Sequence, residues 1–255
     1  MDLEQHNHEQ IEALNQRGGR TLSIVDLIRS GTLSVEMAAC AVRAMAEGAS
    51  LLTGARPGGA GKTTLMAALL HLLSPGTRIV TVDRPGAIAE ALARPAEPAC
   101  YLAHEIGAGH WFGYIWGRSV ADYLSLIEGP RRVASCLHAD TLEELTGILC
   151  SPPLGASREA LGRVGLVLFM HVRPGPRGLR HRVAAFHEAD GRGGHRLAFQ
   201  WNERSDTFER VGGLRDPAGL TPYTSLIQRL VDTGVAESVA VRREVLTFHT
   251  GVAPS

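Results

Sequence analysis

Short apolar runs alternate with longer segments of mixed polarity through the first two thirds of the chain. Four of these runs, near residues 49–53, 78–82, 99–103 and 132–137, have the length and composition of buried parallel strands. The segment 64–73, which follows the first run, has few polar positions and is therefore predicted to be a helix covered on both sides. The alternation predicts an α/β fold with a mostly parallel sheet.

The pattern changes to shorter strands and turns after residue 165. Two alternating stretches, 180–188 and 196–201, flank a glycine-rich turn at 190–194 and predict a hairpin. Two helices are predicted near 225–233 and 238–248. We therefore expect residues 166–255 to form strands and helices that complete the domain.

The first fifty residues divide into two parts. Residues 1–20 are polar and end in Gly18-Gly19, which predicts a flexible leader. Residues 21–48 contain a short apolar helix and a second helix that Ser34 is expected to cap. The predicted organisation is thus a leader (1–20), a helical segment (21–48), a core (49–165) and a C-terminal part (166–255).

A glycine-rich loop stands between the first predicted strand and the helix that follows it. It matches G-x-x-x-x-G-K-[ST] except at the first position, where Arg56 stands in place of glycine. Loops of this pattern hold phosphate oxygens with backbone N–H groups and the N-terminus of the next helix, while the Ser/Thr hydroxyl binds Mg²⁺. The residues expected to bind nucleotide are Gly58, Gly59, Ala60, Gly61, Lys62, Thr63 and Thr64, with Thr63 on the metal side.

The use of lysine supports this interpretation of the loop. Of the 26 basic residues, 25 are arginine and the single lysine is Lys62. A chain that uses arginine almost everywhere has kept lysine at the position where a compact ammonium must reach between phosphates. The sequence thus predicts binding of a nucleoside triphosphate, most simply ATP with Mg²⁺.

Three polar residues follow the other predicted strands directly. Asp83, Glu105 and His138 each stand at the C-terminal end of an apolar run, where open α/β sheets bind their ligands. A carboxylate such as Glu105 can orient or deprotonate the attacking water, and His138 can contact the terminal phosphate. Asp83 is expected to assist the metal or the water.

Charge and composition exclude several classes of function. The net charge is zero and aromatic residues make up 5% of the chain, so no groove that tracks a nucleic acid is expected. The four cysteines form no C-x-x-C pair and lie in apolar stretches, which favours buried thiols in a reducing compartment. No apolar run approaches the ~20 residues that span a bilayer, and the N-terminus does not have the pattern of a signal peptide. We expect a cytoplasmic protein.

Three segments together resemble the type II/type IV secretion ATPase superfamily, which includes the motors of pili, archaella and conjugative secretion. They are the loop, His104-Glu105-Ile106 as Walker B, and residues 137–145, where a histidine-alanine box precedes an acidic helix. The resemblance, which runs from about residue 21 to 250, also equates the strand before Asp83 with the acidic box of the family. It implies a P-loop NTPase core of RecA/ASCE type with a C-terminal β-hairpin and helical extension.

The resemblance also implies partners. Members of the family work as hexameric rings against a membrane platform and other secretion or pilus components, which here implies a homo-oligomer at the inner face of the membrane. The family's large N-terminal domain has no counterpart in the fifty residues before the loop, and Walker B lacks its usual glycine. Two hypotheses therefore stand: a hydrolysing ATPase, or a truncated paralogue that binds ATP without hydrolysis and regulates a full-length motor.

Overall fold

A ten-stranded sheet forms the centre of the computed structural model, which describes residues 2–15, 20–84, 86–175, 178–212 and 218–251. In chain order the strands are β1 (Leu51–Gly54), β2 (Arg78–Thr81), β3 (Ala99–Leu102), β4 (Glu105–Ile106), β5 (Tyr114–Ile115), β6 (Arg131–Leu137), β7 (Leu166–Gly175), β8 (Gly178–Ala189), β9 (His195–Asn202) and β10 (Thr207–Arg210).

The strands follow one another across the sheet in the order β10-β9-β8-β7-β1-β6-β3-β2, and β4 pairs with β5 and β6. The neighbours from β2 to β7 run parallel. All four residues of β1 are buried because the sheet is covered on both faces. The predicted α/β architecture and its four parallel strands are confirmed.

The C-terminal part extends this sheet with antiparallel strands. β7 pairs with β8, β8 with β9, and β9 with β10. The turn between β8 and β9 is held by Asp190, whose Oδ1 accepts hydrogen bonds from the backbone N–H groups of Arg192 (2.7 Å) and Gly194 (3.0 Å). The hairpin predicted around residues 190–194 is thus confirmed, and it belongs to a larger antiparallel extension.

Helices cover the two faces of the sheet and divide the core into two clusters. One cluster contains residues of α1 to α4, α9 and α10, and the other contains residues of α5 to α8. Ser34 caps the third helix by accepting a hydrogen bond from the Met37 N–H (3.2 Å), as predicted. The helices are α1 (Leu3–Glu12), α2 (Ile24–Arg29), α3 (Val35–Ala46), α4 (Lys62–Leu70), α5 (Gly86–Ala93), α6 (Ser119–Ser125), α7 (Leu142–Cys150), α8 (Arg158–Gly162), α9 (Thr221–Thr233) and α10 (Ser238–Thr250).

The N-terminal residues differ from the flexible leader that their polarity predicts. Residues 2–15 contain α1, which packs along the edge strand β2, while residues 16–19 lie outside the described chain. The side-chain amide of Asn7 donates to the Thr77 carbonyl (2.9 Å) and accepts from the Ile79 N–H (2.8 Å). Asn7 thus forms hydrogen bonds with backbone groups that would otherwise be unpaired at the edge of the sheet. Ile11 is buried on the same helix.

The cysteines agree with the expectation of reduced, mostly buried thiols. All four are free, and Cys40, Cys100 and Cys136 are buried, whereas Cys150 is partly exposed. Burial raises the pKa of the Cys100 thiol to about 12, which makes it unreactive at neutral pH. None of the described helices has both the length and the apolarity needed to cross a membrane.

Candidate functional site

The glycine-rich loop joins the buried end of β1 to the start of α4, as its sequence predicts. Gly59 (φ +79°) and Gly61 (φ +98°) adopt left-handed backbone conformations that glycine tolerates best. Gly61 caps α4, and no side chain occupies the helix N-terminus. The first N–H groups of α4 are therefore free of side-chain caps, which suits an anionic ligand. The loop residues Gly58, Gly59, Ala60, Gly61, Lys62, Thr63 and Thr64 all belong to this strand–loop–helix unit.

Lys62 is buried at the first position of α4, with 7% of its surface exposed. Its Nζ donates a hydrogen bond to the Ala55 carbonyl (2.9 Å) and lies 3.5 Å from His138 Nδ1. Among the described residues, none places a carboxylate within ion-pair distance of this ammonium. A buried charge of this kind is costly unless an anion compensates it. The surroundings of Lys62 therefore fit a phosphate group.

His138 connects the loop to Glu105. Its Nδ1 lies 2.7 Å from the Arg56 carbonyl oxygen, and its Nε2 lies 3.1 Å from Glu105 Oε1. Both of these neighbours are hydrogen-bond acceptors. The structure thus brings Lys62, His138 and Glu105, which were predicted separately from strand ends, into one connected group.

Both carboxylate oxygens of Glu105 have a hydrogen-bonding neighbour. Oε1 faces His138, and Oε2 accepts a hydrogen bond from the Tyr114 hydroxyl (3.2 Å). Burial and the nearby charge of Glu105 raise the pKa of Tyr114 to about 12, so its hydroxyl remains a donor at neutral pH. Sequence reasoning missed Tyr114, and the nearest signal was the run of glycines and aromatics that follows Glu105.

A buried thiol lies beneath the site. Cys136 Sγ donates to the His104 carbonyl (3.0 Å) and lies 4.0 Å from both Thr63 Oγ1 and Glu105 Oε2. Burial, followed by the charge of Glu105, raises the pKa of this thiol to about 12. Thr63, predicted to bind the metal, and Glu105, predicted to act on the water, therefore both lie near Cys136 Sγ. Thr63 belongs to α4 and Glu105 to β4.

His104 is the buried neighbour of Glu105. Only 4% of its surface is exposed, and neither ring nitrogen has a hydrogen-bond partner within the described residues. Burial lowers the pKa of this imidazole, so the ring is neutral at neutral pH. It packs edge-on against Phe112, with 5.2 Å between ring centroids. His104 thus lies between Glu105, its neighbour in the chain, and the aromatic ring of Phe112.

Arg56, the departure from the standard loop pattern, ties the loop to α7. Its Nη2 lies 2.6 Å from Glu144 Oε1, and its backbone N–H donates to Asp140 Oδ1 (2.7 Å). The hydrogen bond with Glu144 raises the pKa of Arg56 and lowers that of Glu144. The acidic residues after the histidine-alanine box therefore hold the first loop residue, a pairing that the sequence analysis did not identify.

Asp83 is not brought to the loop. β2 is separated from β1 by β3 and β6, so three strand spacings of about 4.8 Å put the two strands roughly 14 Å apart. The Asp83 side chain is half exposed and lies 4.0 Å from Arg84 Nε. No contact within the described chain joins it to Lys62, Thr63 or Glu105. The expected role of Asp83 at the metal or the water is therefore not supported by its position.

The position of Asp83 leads to a specific expectation. Replacing it with asparagine should leave the Mg²⁺-dependent affinity for ATP within about twofold of the unmodified protein, because exposed ion pairs of this kind contribute little. Isothermal titration calorimetry with and without Mg²⁺ measures this affinity. A loss of Mg²⁺ dependence in Asp83→Asn would return Asp83 to the metal site.

Tyr114 gives a second expectation. Tyr114→Phe removes only the hydroxyl that holds Glu105 Oε2, and a hydrogen bond to a charged group is worth about 1.5–3 kcal/mol. If Glu105 acts on water, the rate of ATP turnover should fall about tenfold or more while KM for ATP stays unchanged. Steady-state phosphate release at varied ATP concentration measures kcat and KM separately. An unchanged kcat in Tyr114→Phe would show that this hydroxyl does not act through Glu105.

The residues present fit ATP with Mg²⁺ on three observations: a helix N-terminus without a side-chain cap, a buried ammonium that meets no carboxylate among the described residues, and a hydroxyl and a carboxylate that each lie 4.0 Å from Cys136 Sγ. Within the described chain, no group of three or more His, Cys, Asp or Glu side chains is arranged to hold a metal ion by itself. Protein ligands of Mg²⁺ in nucleotide sites are few, because phosphates and water complete the shell.

No protein-family model matches this sequence, and no curated protein matches it at a significant level. Among solved structures, the chain is similar to the ATPase DotB from Legionella pneumophila, with 14% identity and a TM-score of 0.39 over 75% of this chain and 55% of that one. It is also similar to the VirB11 ATPase from the Brucella suis type IV secretion system, solved with sulphate, with 15% identity and a TM-score of 0.39 over 78% and 56%. The chain spans about half the length of these two structures.

Proposed function

We propose that the protein binds ATP with Mg²⁺ at the loop 58–64 and hydrolyses it, as a motor-type ATPase of a type II/IV secretion, pilus or archaellum-like system. The observation that carries this proposal is the connected group Lys62–His138–Glu105 at the carboxyl ends of parallel strands. The sequence resemblance and the similarity to two secretion-type or related ATPase structures are consistent with it. The sequence resemblance also leads us to assign the sheet to the RecA/ASCE class.

Each residue of the group has a role in this proposal. The N–H groups of the loop and of α4 bind the phosphate oxygens, and Lys62 reaches between the last two phosphates. Thr63 holds the metal through its hydroxyl. Bound Mg²⁺ supplies charge neutralisation on the phosphate oxygens as the terminal phosphate is transferred. Glu105 orients the attacking water and accepts its proton.

His138 links the presence of the terminal phosphate to the state of Glu105. In the structure its ring bridges the Arg56 carbonyl and Glu105 Oε1, next to Lys62. A phosphate oxygen beside Lys62 offers a stronger acceptor than a neutral carbonyl. The imidazole then exchanges the Arg56 carbonyl for the phosphate at Nδ1, and the turn of the ring draws Nε2 away from Oε1, while Tyr114 continues to hold Oε2. One oxygen of Glu105 becomes available to water only when ATP is bound.

Assembly and partners follow from the resemblance and belong to the same proposal. We infer a homo-oligomer, hexameric if the protein is a motor, acting with a membrane platform and other secretion or pilus components in the cytoplasm or at the inner face of the membrane. Light scattering with and without Mg-ATP measures the oligomer. Neighbouring genes for a platform protein or pilin-like subunits would identify the pathway.

Phosphate release from Mg-ATP by the purified protein tests the proposal. We expect turnover that EDTA abolishes and that increases on oligomerisation. ATP binding without any turnover, in the monomer and in every oligomer formed, would exclude hydrolysis. The assay therefore separates an ATPase from a protein that only binds nucleotide.

A second candidate is a nucleotide-gated regulator that binds ATP without hydrolysing it and docks on a full-length secretion ATPase. The engagement of both Glu105 oxygens and the distance of Asp83 from the loop favour it. Pull-down of a secretion or pilus component together with bound, intact ATP would support this candidate. Turnover by the isolated protein would exclude it.

A further inference from the structure

The backbone of Arg56 borders the place proposed for the terminal phosphate. His138 Nδ1 lies 2.7 Å from the Arg56 carbonyl oxygen and 3.5 Å from Lys62 Nζ, so both loop residues meet at one ring nitrogen. The Arg56 N–H donates to Asp140 Oδ1 (2.7 Å). Both polar backbone groups of Arg56 are therefore tied to the segment that begins at His138, and its side chain starts from a fixed point beside Lys62.

The guanidinium of Arg56 lies on the same side of the loop as His138. Its Nε donates to Glu144 Oε1 (2.7 Å), and its Nη2 lies 2.6 Å from the same oxygen. Nε is also 3.8 Å from Asp140 Oδ2. Both acids follow His138 within six residues, at the start of α7. The guanidinium therefore lies at the carboxyl end of β6, where Lys62 and His138 meet.

The pair between Arg56 and Glu144 is suited to exchange. The Arg56 side chain is 66% exposed, and exposed ion pairs contribute little to stability. Glu144 keeps other stabilising neighbours when the guanidinium leaves, because its Oε2 accepts from the Asp140 N–H (2.9 Å) and it stands in the first turn of α7, where the helix dipole favours a negative charge. Arg56 can thus leave Glu144 at small cost.

A phosphate beside Lys62 is a stronger partner for this guanidinium than an exposed carboxylate. Arginine binds phosphate with paired, charge-assisted hydrogen bonds, and phosphoryl transfer commonly uses an arginine at the terminal phosphate. We infer that Arg56 exchanges Glu144 for the terminal phosphate when ATP binds, and so serves as a phosphate ligand from the same chain as Lys62. The inference rests on the proposed function and deepens it.

The inference gives a chemical reason for the departure from the standard loop pattern. A glycine at this position has no side chain to offer, whereas Arg56 places a second cation next to Lys62. Within the described chain, Arg56 is also the only arginine joined by a hydrogen bond to Lys62, Thr63, Glu105 or His138. The charge that phosphoryl transfer requires at the terminal phosphate is thus available without a second copy of the chain.

Calorimetry with two nucleotides tests the inference. The β,γ-imido analogue of ATP keeps the terminal phosphate and resists hydrolysis, whereas ADP lacks that phosphate. In Mg²⁺ buffer, Arg56→Ala should weaken the analogue at least about tenfold, because charge-assisted hydrogen bonds are lost, and should leave ADP within about twofold. Alanine keeps the backbone N–H and carbonyl that contact Asp140 and His138, so we expect an unchanged circular dichroism spectrum.

Glu144→Gln separates a phosphate ligand from a side chain that only ties the loop to α7. This variant removes the charge that competes for Arg56, so it should bind the imido analogue at least as tightly as the unmodified protein, and up to about fivefold more tightly. Arg84→Ala is the matched control. Arg84 is an exposed arginine that pairs with Glu90 away from the loop, so both affinities should be retained.

Three results would overturn the inference. They are full affinity of Arg56→Ala for the imido analogue, equal weakening of the analogue and ADP in Arg56→Ala, and a loss in Glu144→Gln as large as that in Arg56→Ala. Failure of the proposed function gives a different result, visible without any change at Arg56: the unmodified protein binds neither nucleotide, or it binds both as well after Lys62→Ala.

Discussion

Lys62→Ala is expected to abolish ATP binding while the fold is retained. Lys62 is the buried cation at the loop, and it has no carboxylate partner within the described residues. Each hydrogen bond from a charged group is worth about 1.5–3 kcal/mol, so two contacts with phosphate predict a loss in affinity of at least about a hundredfold. Alanine is a good helix former at this first position of α4, so the melting temperature should change little.

Calorimetry with ATP and circular dichroism measure the two parts of this expectation. Lys62→Arg is the matched variant: it keeps the charge but brings a wider, planar group into a site where only 7% of the lysine is exposed. We expect it to lose most of the affinity as well. Full ATP affinity in Lys62→Ala, with the fold intact, would show that the nucleotide binds elsewhere or does not need this ammonium.

Glu105→Gln is expected to abolish turnover while ATP binding is retained. The amide keeps the shape of the carboxylate and an oxygen that accepts from Tyr114, but it cannot accept a proton from water. Loss of a general base costs about 10²–10⁴-fold in rate, so turnover should fall by at least about a hundredfold. Phosphate release under single-turnover conditions measures the rate, and calorimetry measures the affinity.

Glu90→Gln is the control for this experiment. Glu90 is an exposed carboxylate on α5 that pairs with Arg84 (2.5 and 2.8 Å), away from the loop. Its replacement should leave turnover within about twofold. If Glu105→Gln retained the turnover of the unmodified protein, Glu105 would not be the base. A fall of the same size in both variants would mean that the loss is not specific to the site.

The loop could be predicted because its determinants are contiguous. The apolar run before it, the glycines, the lysine and the apolar helix after it all lie between residues 49 and 73. Glu105 and His138 could also be identified, since each directly follows a strand whose apolar run is visible in the sequence. Their mutual contact at 3.1 Å could only be expected from the general rule that ligands bind at the carboxyl ends of strands.

Other features depend on contacts between distant parts of the chain. The order of strands across the sheet is not written in any single segment, so Asp83 was expected beside the loop although β2 lies at the sheet edge. Tyr114 meets Glu105 because β5 pairs with β4 in parallel, across a short loop. In the sequence, Arg56 is a departure from the loop pattern. Only the structure shows that it pairs with Glu144, 88 residues away.

The sequence by itself predicted an α/β protein, a glycine-rich loop between a strand and a helix, and the candidate residues Glu105 and His138 at strand ends. Those features depend on periodicity, on glycine and on one lysine, which are local properties. Only the tertiary structure decided which strand ends meet the loop, that residues 2–15 contain a helix packed along the sheet edge, and that Glu144 pairs with Arg56. These depend on strand order and side-chain packing, which join residues far apart in the chain.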